Sequence, residues 1–566
     1  MYLEFLSVAG AEGEHVGVDV DPGDSVRLPL AEPRTSPAAQ SPSDCAALPW
    51  FSPVTLLVAA IPGVLGLITG GYRVNVPPLW GDEGVTKAMA ARSVSQILAT
   101  MPHDDVVHGA YYLVVHFVTE LAGSSSSAVL RFPSVVAMAV AAAFTALIAH
   151  RLATLARSPY PAITGVTAGA VFALLPFVIR YAQEARSYAI VTMLATITTY
   201  LLLKAACADG RWWIAYGTAA GLTGLFNIFG LLILAAHGVS LLVAVRDRPR
   251  LRGLSGRWVA GVPARWVLAG TCAVIPLIPI VTFAYTQRAA ISWITGTLSI
   301  RRAVTNLAQT WAGSPHLVWP IFGLAGFGVA AEAARHWRRQ TPFTPGSVAL
   351  PWLVVPPAVL LLVSQVHSVY DARYVEYCLP ALAILVAWGL TWLARAVAVP
   401  LRRARLAWLG WLVPAAIMVP LVAALLPAGA KVRLPSFRPD NLNGDSQIVA
   451  ANSRPGDVVF FIPMSYRPIT AAFPAQWREV RDIALAQSPV ASDTLYGIDV
   501  SPAELLKRFT HVTRVWVFSA PSDNAYLNSP RATAVDKEEE SLLSRMELLR
   551  QWRDGDKMLS LYQVRR

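Results

Sequence analysis

From residue 51 onward the chain alternates long apolar runs with short polar connections. A bilayer's hydrocarbon core, about 30 Å thick, demands about 20 apolar residues of a helix that crosses it. Runs of this kind fall at 51–72, 132–150, 160–179, 187–203, 266–287, 314–331, 347–370, 377–394 and 406–430. The stretch 212–245 contains no Asp, Glu, Lys or Arg. As one helix it would run to about 50 Å, too long for a single crossing. Dividing it at Asn227 predicts two short spans and brings the total to eleven. Residues 106–119 (VVHGAYYLVVHFVT) are apolar but too short to cross, which predicts a helix lying in the interface. After residue 430 the pattern becomes that of a soluble domain. Strands are predicted at 456–463, 513–520 and 558–564, and helices at 502–509 and 537–552. The fold class is therefore an all-α polytopic membrane protein with a small C-terminal α/β domain.

Composition agrees. Of 566 residues, 55% are hydrophobic and only 14% charged, where a soluble surface needs about a quarter charged. The net charge of +12 points to loops facing anionic lipid, and nucleic acid is excluded as a partner. Arginine and lysine mark the loops expected on the cytoplasmic side. They are Arg151 and Arg157; Lys204 and Arg211; Arg246 to Arg265; Arg335, Arg338 and Arg339; and Arg395, Arg402, Arg403 and Arg405. The division at Asn227 keeps the Arg246 to Arg265 cluster on that side. The same parity puts the N-terminus inside and everything after residue 430 outside the cytoplasmic membrane. Residues 1–50, acidic and rich in Pro and Ser, read as a disordered cytoplasmic tail. They lack the basic n-region of a cleaved signal, so the first apolar run stays as an anchor. The domains are then 1–50, a membrane domain 51–430 whose first outer loop is 73–131, and an extracytoplasmic domain 431–566. Four scattered cysteines indicate neither a disulfide framework nor a zinc site.

With this topology the outer loops hold the candidate chemistry. The first carries Trp80-Gly81-Asp82-Glu83-Gly84, then Lys87. Carboxylates close to the headgroup plane can serve as a general base toward a substrate hydroxyl. The same residues can equally start an amphipathic helix, with Glu83 paired to Lys87 at i, i+4. Arg180 to Tyr188 (RYAQEARSY) and Tyr370 to Tyr374 (YDARY) set arginines beside tyrosines at a membrane face. That combination suits a lipid-linked phosphate, or simply snorkelling side chains that anchor helix ends. Asp82, Glu83, Glu184, Arg186 and Arg373 all fall on one predicted face, which favours a site.

These motifs, in order WGDEG, HGAYYLVVHF, LRFPS (130–134), RYAQEARSYA (180–189) and ARYVEYCLP (372–380), resemble the GT-C membrane glycosyltransferases. Within that fold they are most similar to the protein O-mannosyltransferase and aminoarabinose-transferase group, as a bacterial, actinobacterial-type member. The resemblance covers about residues 51 to 395. It implies transfer of a sugar, mannose first and a pentose second, from a polyprenyl phosphate carrier to an acceptor outside the membrane. That acceptor would be a protein, glycolipid or polysaccharide hydroxyl. The resemblance also implies Asp82 as the base with Glu83 beside it, and Arg131, Arg186 and Arg373 as groups that orient the acceptor and meet the leaving phosphate. Glu184, Tyr374, Lys87 and His108 complete the candidate binding set. Where many bacterial relatives carry HPPLYY this chain has His108-Gly109-Ala110-Tyr111-Tyr112, which alters the acceptor approach. The implied reaction inverts the sugar and requires no cofactor beyond the lipid-linked donor. A divalent ion would enter only if Asp82, Glu83 and Glu184 converge. A lipid-linked sugar transporter and a catalytically silent scaffold are the competing readings, the first opposed by the lack of any repeat.

Overall fold

The computed structural model describes residues 52–207, 210–246, 256–288, 294, 299–335, 341–401, 409, 412–520 and 534–565. All of them lie within one compact unit, residues 40–566. The expected N-terminal tail lies outside the described residues.

In chain order the helices of the apolar region are α1 (Pro53–Gly71), α2 (Gly81–Ala90), α3 (Val94–Thr100), α4 (Gly109–Ala122), α5 (Ser127–Leu155), α6 (Pro161–Leu174), α7 (Pro176–Ala182), α8 (Tyr188–Cys207), α9 (Trp212–Phe226), α10 (Leu232–Arg246), α11 (Gly256–Val274), α12 (Ile278–Thr286), α13 (Ile300–Ala312), α14 (Pro315–Ala333), α15 (Pro345–Val363), α16 (Leu379–Leu401) and α17 (Leu412–Lys431). Nine helical stretches among the described residues are long and apolar enough to cross a membrane, and the pair α6 and α7, bent by 65°, makes ten when taken as one span. The bend sits at Leu175, whose extended backbone (ψ 128°) is what a following proline imposes. Small residues let α1, α5 and α6 close together. A Cβ at Gly66 would lie 2.9 Å from Ala139 Cα, and one at Gly169 would lie 2.5 Å from Pro62 Cβ. Such contacts replace the hydrophobic drive that helices lack in lipid.

The expected eleventh span is α9. At 15 residues it rises only about 22 Å, short of the hydrocarbon thickness. The break at Asn227 is present, with extended backbone (φ −164°, ψ 120°) and a side chain that accepts from Phe229 N. Helix α9 also runs parallel to α11, because Gly217, Gly221 and Gly224 face Ala269, Ala273 and Leu277 in the same order. The chain between them therefore reverses direction, as the division required. Helix α4 is the short apolar helix expected at the interface.

The C-terminal region contains α18 (Leu442–Asn452), β1 (Val458–Ile462), α19 (Pro468–Ala472), α20 (Pro474–Trp477), β2 (Arg481–Asp482), β3 (Leu485–Gln487), β4 (Ile498–Asp499), α21 (Pro502–Arg508), β5 (Arg514–Ser519), α22 (Ala534–Leu542), β6 (Met546–Asp554) and β7 (Lys557–Val564). Five strands form one mixed sheet in the order β2-β1-β5-β7-β6. The helix expected over 537–552 ends at Leu542, and its second half is β6. That segment has helix-forming composition, but it pairs antiparallel with β7 along its length, and pairing outweighs propensity. Strand alternation gives the sheet two apolar faces. Val458, Phe460, Val515 and Val517 pack on Leu505 and Phe509. Val459, Phe461, Trp516 and Phe518 instead join the core that continues into the membrane bundle, so the domain is seated on the bundle. Cys207 is disulfide-bonded. Cys272 and Cys378 are free.

Candidate active site

Helix α2 carries Asp82 and Glu83 in its first turn. Neighbouring residues of an α-helix point about 100° apart, so the two carboxylates cannot act side by side. Glu83 turns into the core, where it is fully buried. Its Oε1 and Oε2 accept from Arg131 Nε at 2.8 Å and Nη2 at 2.7 Å, and Oε1 also accepts from Ala185 N at 2.9 Å. Arg131 spends its other donors on the carbonyls of Val74, Pro77 and Pro78. A guanidinium has five N–H groups, and all five are engaged. Arg131 therefore has no N–H group free in this arrangement, and Glu83 pairs with Arg131 rather than with Lys87 at i, i+4. The pair instead clamps the first inter-span segment onto α5 and the loop before α8. The two residues expected at the chemistry are thus set against each other.

Asp82 faces the other way and keeps 32% of its side chain exposed. Its Oδ2 accepts from Arg373 Nη1 at 3.2 Å and lies 3.8 Å from Arg186 Nε. Burial pushes this carboxyl up, but Arg186, Arg373 and His108 outweigh it and hold it below the ordinary range. Arg373 is itself braced between the rings of Tyr188 and Tyr374, at 5.8 and 5.6 Å from their centroids. Tyr374 packs on Phe229 and Tyr188. The structure thus brings Asp82, Arg186, Arg373 and Tyr374 together from three separated segments.

His108 joins the group on its far side. Its Nδ1 donates to Asp105 Oδ1 at 2.6 Å and lies 3.3 Å from Arg186 Nη2. Tyr112 donates to the other Asp105 oxygen and accepts from Arg186 Nη1 at 3.3 Å. Burial pushes the Asp105 carboxyl up, but His108, Arg186 and the Tyr112 hydroxyl bring it down to about 2. Asp105 was not singled out from the sequence; its spacing of three from His108, in the same loop, was the available signal. Gly109 packs against the Met101 side chain, whose Cε would lie 2.5 Å from a Cβ there.

Two expected binding residues are engaged elsewhere. Glu184 is buried between Arg180, to which its Oε2 is paired, and Arg438, 3.5 Å away. Burial pushes its carboxyl up to about 7, against the pull of Arg180. Lys87 sits 4.4 Å from the ring of Phe473 in the C-terminal domain. Because Glu83 and Glu184 are each turned toward arginines, they do not converge with Asp82, and no group of three or more candidate ligands is present among the described residues. His237 is buried in the bundle in contact with the Thr199 and Tyr216 hydroxyls.

Residues 110–281 match the family described as dolichyl-phosphate-mannose-protein mannosyltransferase. Among solved structures the chain is similar to ArnT from Cupriavidus metallidurans in the apo state, with 14% identity, a TM-score of 0.51, and coverage of 89% of this chain and 97% of that one. ArnT bound to undecaprenyl phosphate matches with the same identity and coverage and a TM-score of 0.50. The Archaeoglobus fulgidus oligosaccharyltransferase tethered to an acceptor peptide gives 13% identity and a TM-score of 0.48, over 88% of this chain and 73% of that one. No curated protein matches the chain. The likeness to ArnT shows the fold, which is GT-C: a multi-pass membrane bundle with a small C-terminal sheet domain, as the sequence led us to expect.

Proposed function

We propose that this protein is an inverting membrane glycosyltransferase. It moves a sugar from a polyprenyl phosphate carrier to an acceptor hydroxyl on the outer face of the cytoplasmic membrane. The observation that carries this reading is Asp82, a partly exposed carboxylate set against the guanidiniums of Arg186 and Arg373 at one end of a membrane bundle. The family matched by residues 110–281 and the undecaprenyl phosphate bound by ArnT support the donor class. The family's description makes mannose the first sugar to test, with a pentose second.

The geometry supports a coupled mechanism. With the site empty, the two arginines hold the Asp82 carboxyl low, which makes it a weak base. A donor phosphate entering between Arg186 and Arg373 competes for the same N–H groups. Asp82 then loses its counter-charges while burial continues to push its carboxyl up, so its basicity rises when donor is bound. The freed carboxylate takes the proton of the acceptor hydroxyl, whose oxygen attacks the anomeric carbon from the face opposite the phosphate. The C–O bond to phosphate breaks, and polyprenyl phosphate leaves with one more negative charge than the diester carried. That growing charge meets the two arginines, which is where electrostatic stabilisation has most effect.

The test is sugar release from a panel of radiolabelled polyprenyl phosphate sugars by purified protein, with Asp82→Asn alongside. One donor turned over by wild type and not by the variant is the expected result and names the sugar. Turnover surviving in Asp82→Asn would move the base elsewhere. A wild type inert toward every donor, with acceptors supplied, would favour a transporter or silent scaffold.

A further inference from the structure

The C-terminal domain reaches the site through the first turn of α2. Trp80, the residue preceding that helix, offers no side-chain cap. The cap comes from a residue distant in sequence, because Asp440 Oδ1 accepts from Gly81 N at 2.9 Å. Asp440 is nearly fully buried and is held by Lys557, whose Nζ lies 2.8 Å from Oδ2. Lys557 is in turn enclosed by the rings of Tyr466 and Phe518. The hairpin that delivers it turns at Gly555 in left-handed backbone (φ 59°), where any side chain would overlap the Pro439 carbonyl. Asp556 N bonds that same carbonyl at 2.9 Å. Two further hydrogen bonds, Leu79 N to Asn443 Oδ1 and Leu442 N to Leu79 O, staple the approach to α2.

Both glycines of the WGDEG motif lie against this docking surface. A Cβ at Gly81 would meet Lys557 Nζ at 3.2 Å, and one at Gly84 would meet Leu442 Cδ1 at 2.5 Å. The glycines flank the carboxylates on the side where the C-terminal domain packs against the helix. An anionic cap also suits the positive end of a helix.

We propose that Asp440, fixed by Lys557, is a positioning residue for the sugar transfer: it caps α2 from the C-terminal domain and so holds Asp82 between Arg186 and Arg373. This rests on the transferase reading, and the experiment separates the two. Full-length Asp440→Ala, Asp440→Asn and Lys557→Met are compared with wild type in lipid nanodiscs. The readouts are amide hydrogen exchange over residues 81–86 and steady-state transfer from the donor that wild type uses. Asp440→Ala raises exchange at Gly81 to Gly84 by roughly tenfold. It lowers kcat by about 10- to 100-fold, the cost of slight misplacement, with donor KM no higher than that of wild type, because Asp82 no longer competes with the phosphate for the arginines. The acid limb of its pH–rate profile moves upward as Asp82 withdraws from its arginines. Asp440→Asn, which keeps an acceptor for Gly81 N–H, recovers most of kcat, and Lys557→Met lies between. Should Asp440→Ala fail to fold, the other two variants carry the comparison. Unchanged exchange in Asp440→Ala, or an unchanged kcat and acid limb, overturns the proposal, as does Asp440→Asn performing no better than Ala at equal folded fraction. A wild type inert toward all donors, with exchange still raised in Asp440→Ala, overturns the transferase reading and leaves the cap standing.

Discussion

Replacing Arg131 with methionine separates a structural clamp from a phosphate ligand. The substitution keeps an unbranched apolar stem and removes the guanidinium. It leaves Glu83 as a fully buried carboxylate with only the Ala185 amide as donor, and it strands the carbonyls of Val74, Pro77 and Pro78. Breaking a buried ion pair by removing one partner costs about 3–5 kcal/mol. The stranded carbonyls overlap with that figure, so about 3 kcal/mol is the floor. At roughly 1.4 kcal/mol per tenfold, the ratio of folded to unfolded protein falls by more than 100-fold. The double variant Glu83→Gln/Arg131→Met removes both charges and should lose less than the sum of the singles, with a coupling of about 1–3 kcal/mol. The assay is retention of monodisperse protein after heating in nanodiscs, run on all four members of the cycle alongside donor KM for each. An Arg131→Met protein of wild-type heat resistance whose donor KM has risen would refute the clamp and restore Arg131 to the phosphate, as the family resemblance implied.

Asp105 and Glu184 give pH dependences of opposite sign. The Asp105 carboxyl, held at about 2 in the folded protein, contributes about 2 kcal/mol of stability. That contribution is complete above the unfolded value near 4 and is lost as pH falls toward 2. Asp105→Asn should therefore destabilise the protein at neutral pH and flatten its acid limb in a denaturation series. Glu184, pushed up to about 7, binds more protons folded than unfolded between about 4.5 and 7, so its contribution shrinks as pH rises through that window. Glu184→Gln should remove that slope, and a slope that persists in the variant refutes the assignment.

The parts of this protein legible in its sequence are those governed by local physics. Apolar run length gave the spans, and an uncharged stretch too long for one crossing gave the break at Asn227. Short runs rich in apolar, β-branched and aromatic residues gave β1, β5 and β7. Where the sequence misled, a distant partner decided the outcome. The helix-forming residues from Met546 become a strand because β7 offers a complete ladder beside them. Glu83 and Arg131, both expected at the chemistry, consume each other because helical geometry turns Glu83 about 100° from Asp82 and α5 begins early enough to carry Arg131 inside the bundle. The same rule explains why Asp82, Arg186 and Arg373 could be picked out together: Arg186 and Arg373 sit where a loop meets a span and Asp82 opens a helix of the first outer loop, and charge there is visible without knowing its partner. Asp440 and Lys557 were missed because nothing in their own neighbourhoods distinguishes them, and Asp105 because its one local signal, a histidine three residues on, was not read. Their importance comes from what folding brings beside them, Arg186 for Asp105 and the N-terminus of α2 for Asp440 and Lys557. The two glycines of WGDEG were the trace of that second encounter. Beside a pair of acids they read as turn residues, and only the packed Leu442 and Lys557 show that they mark the surface where a second domain completes the site.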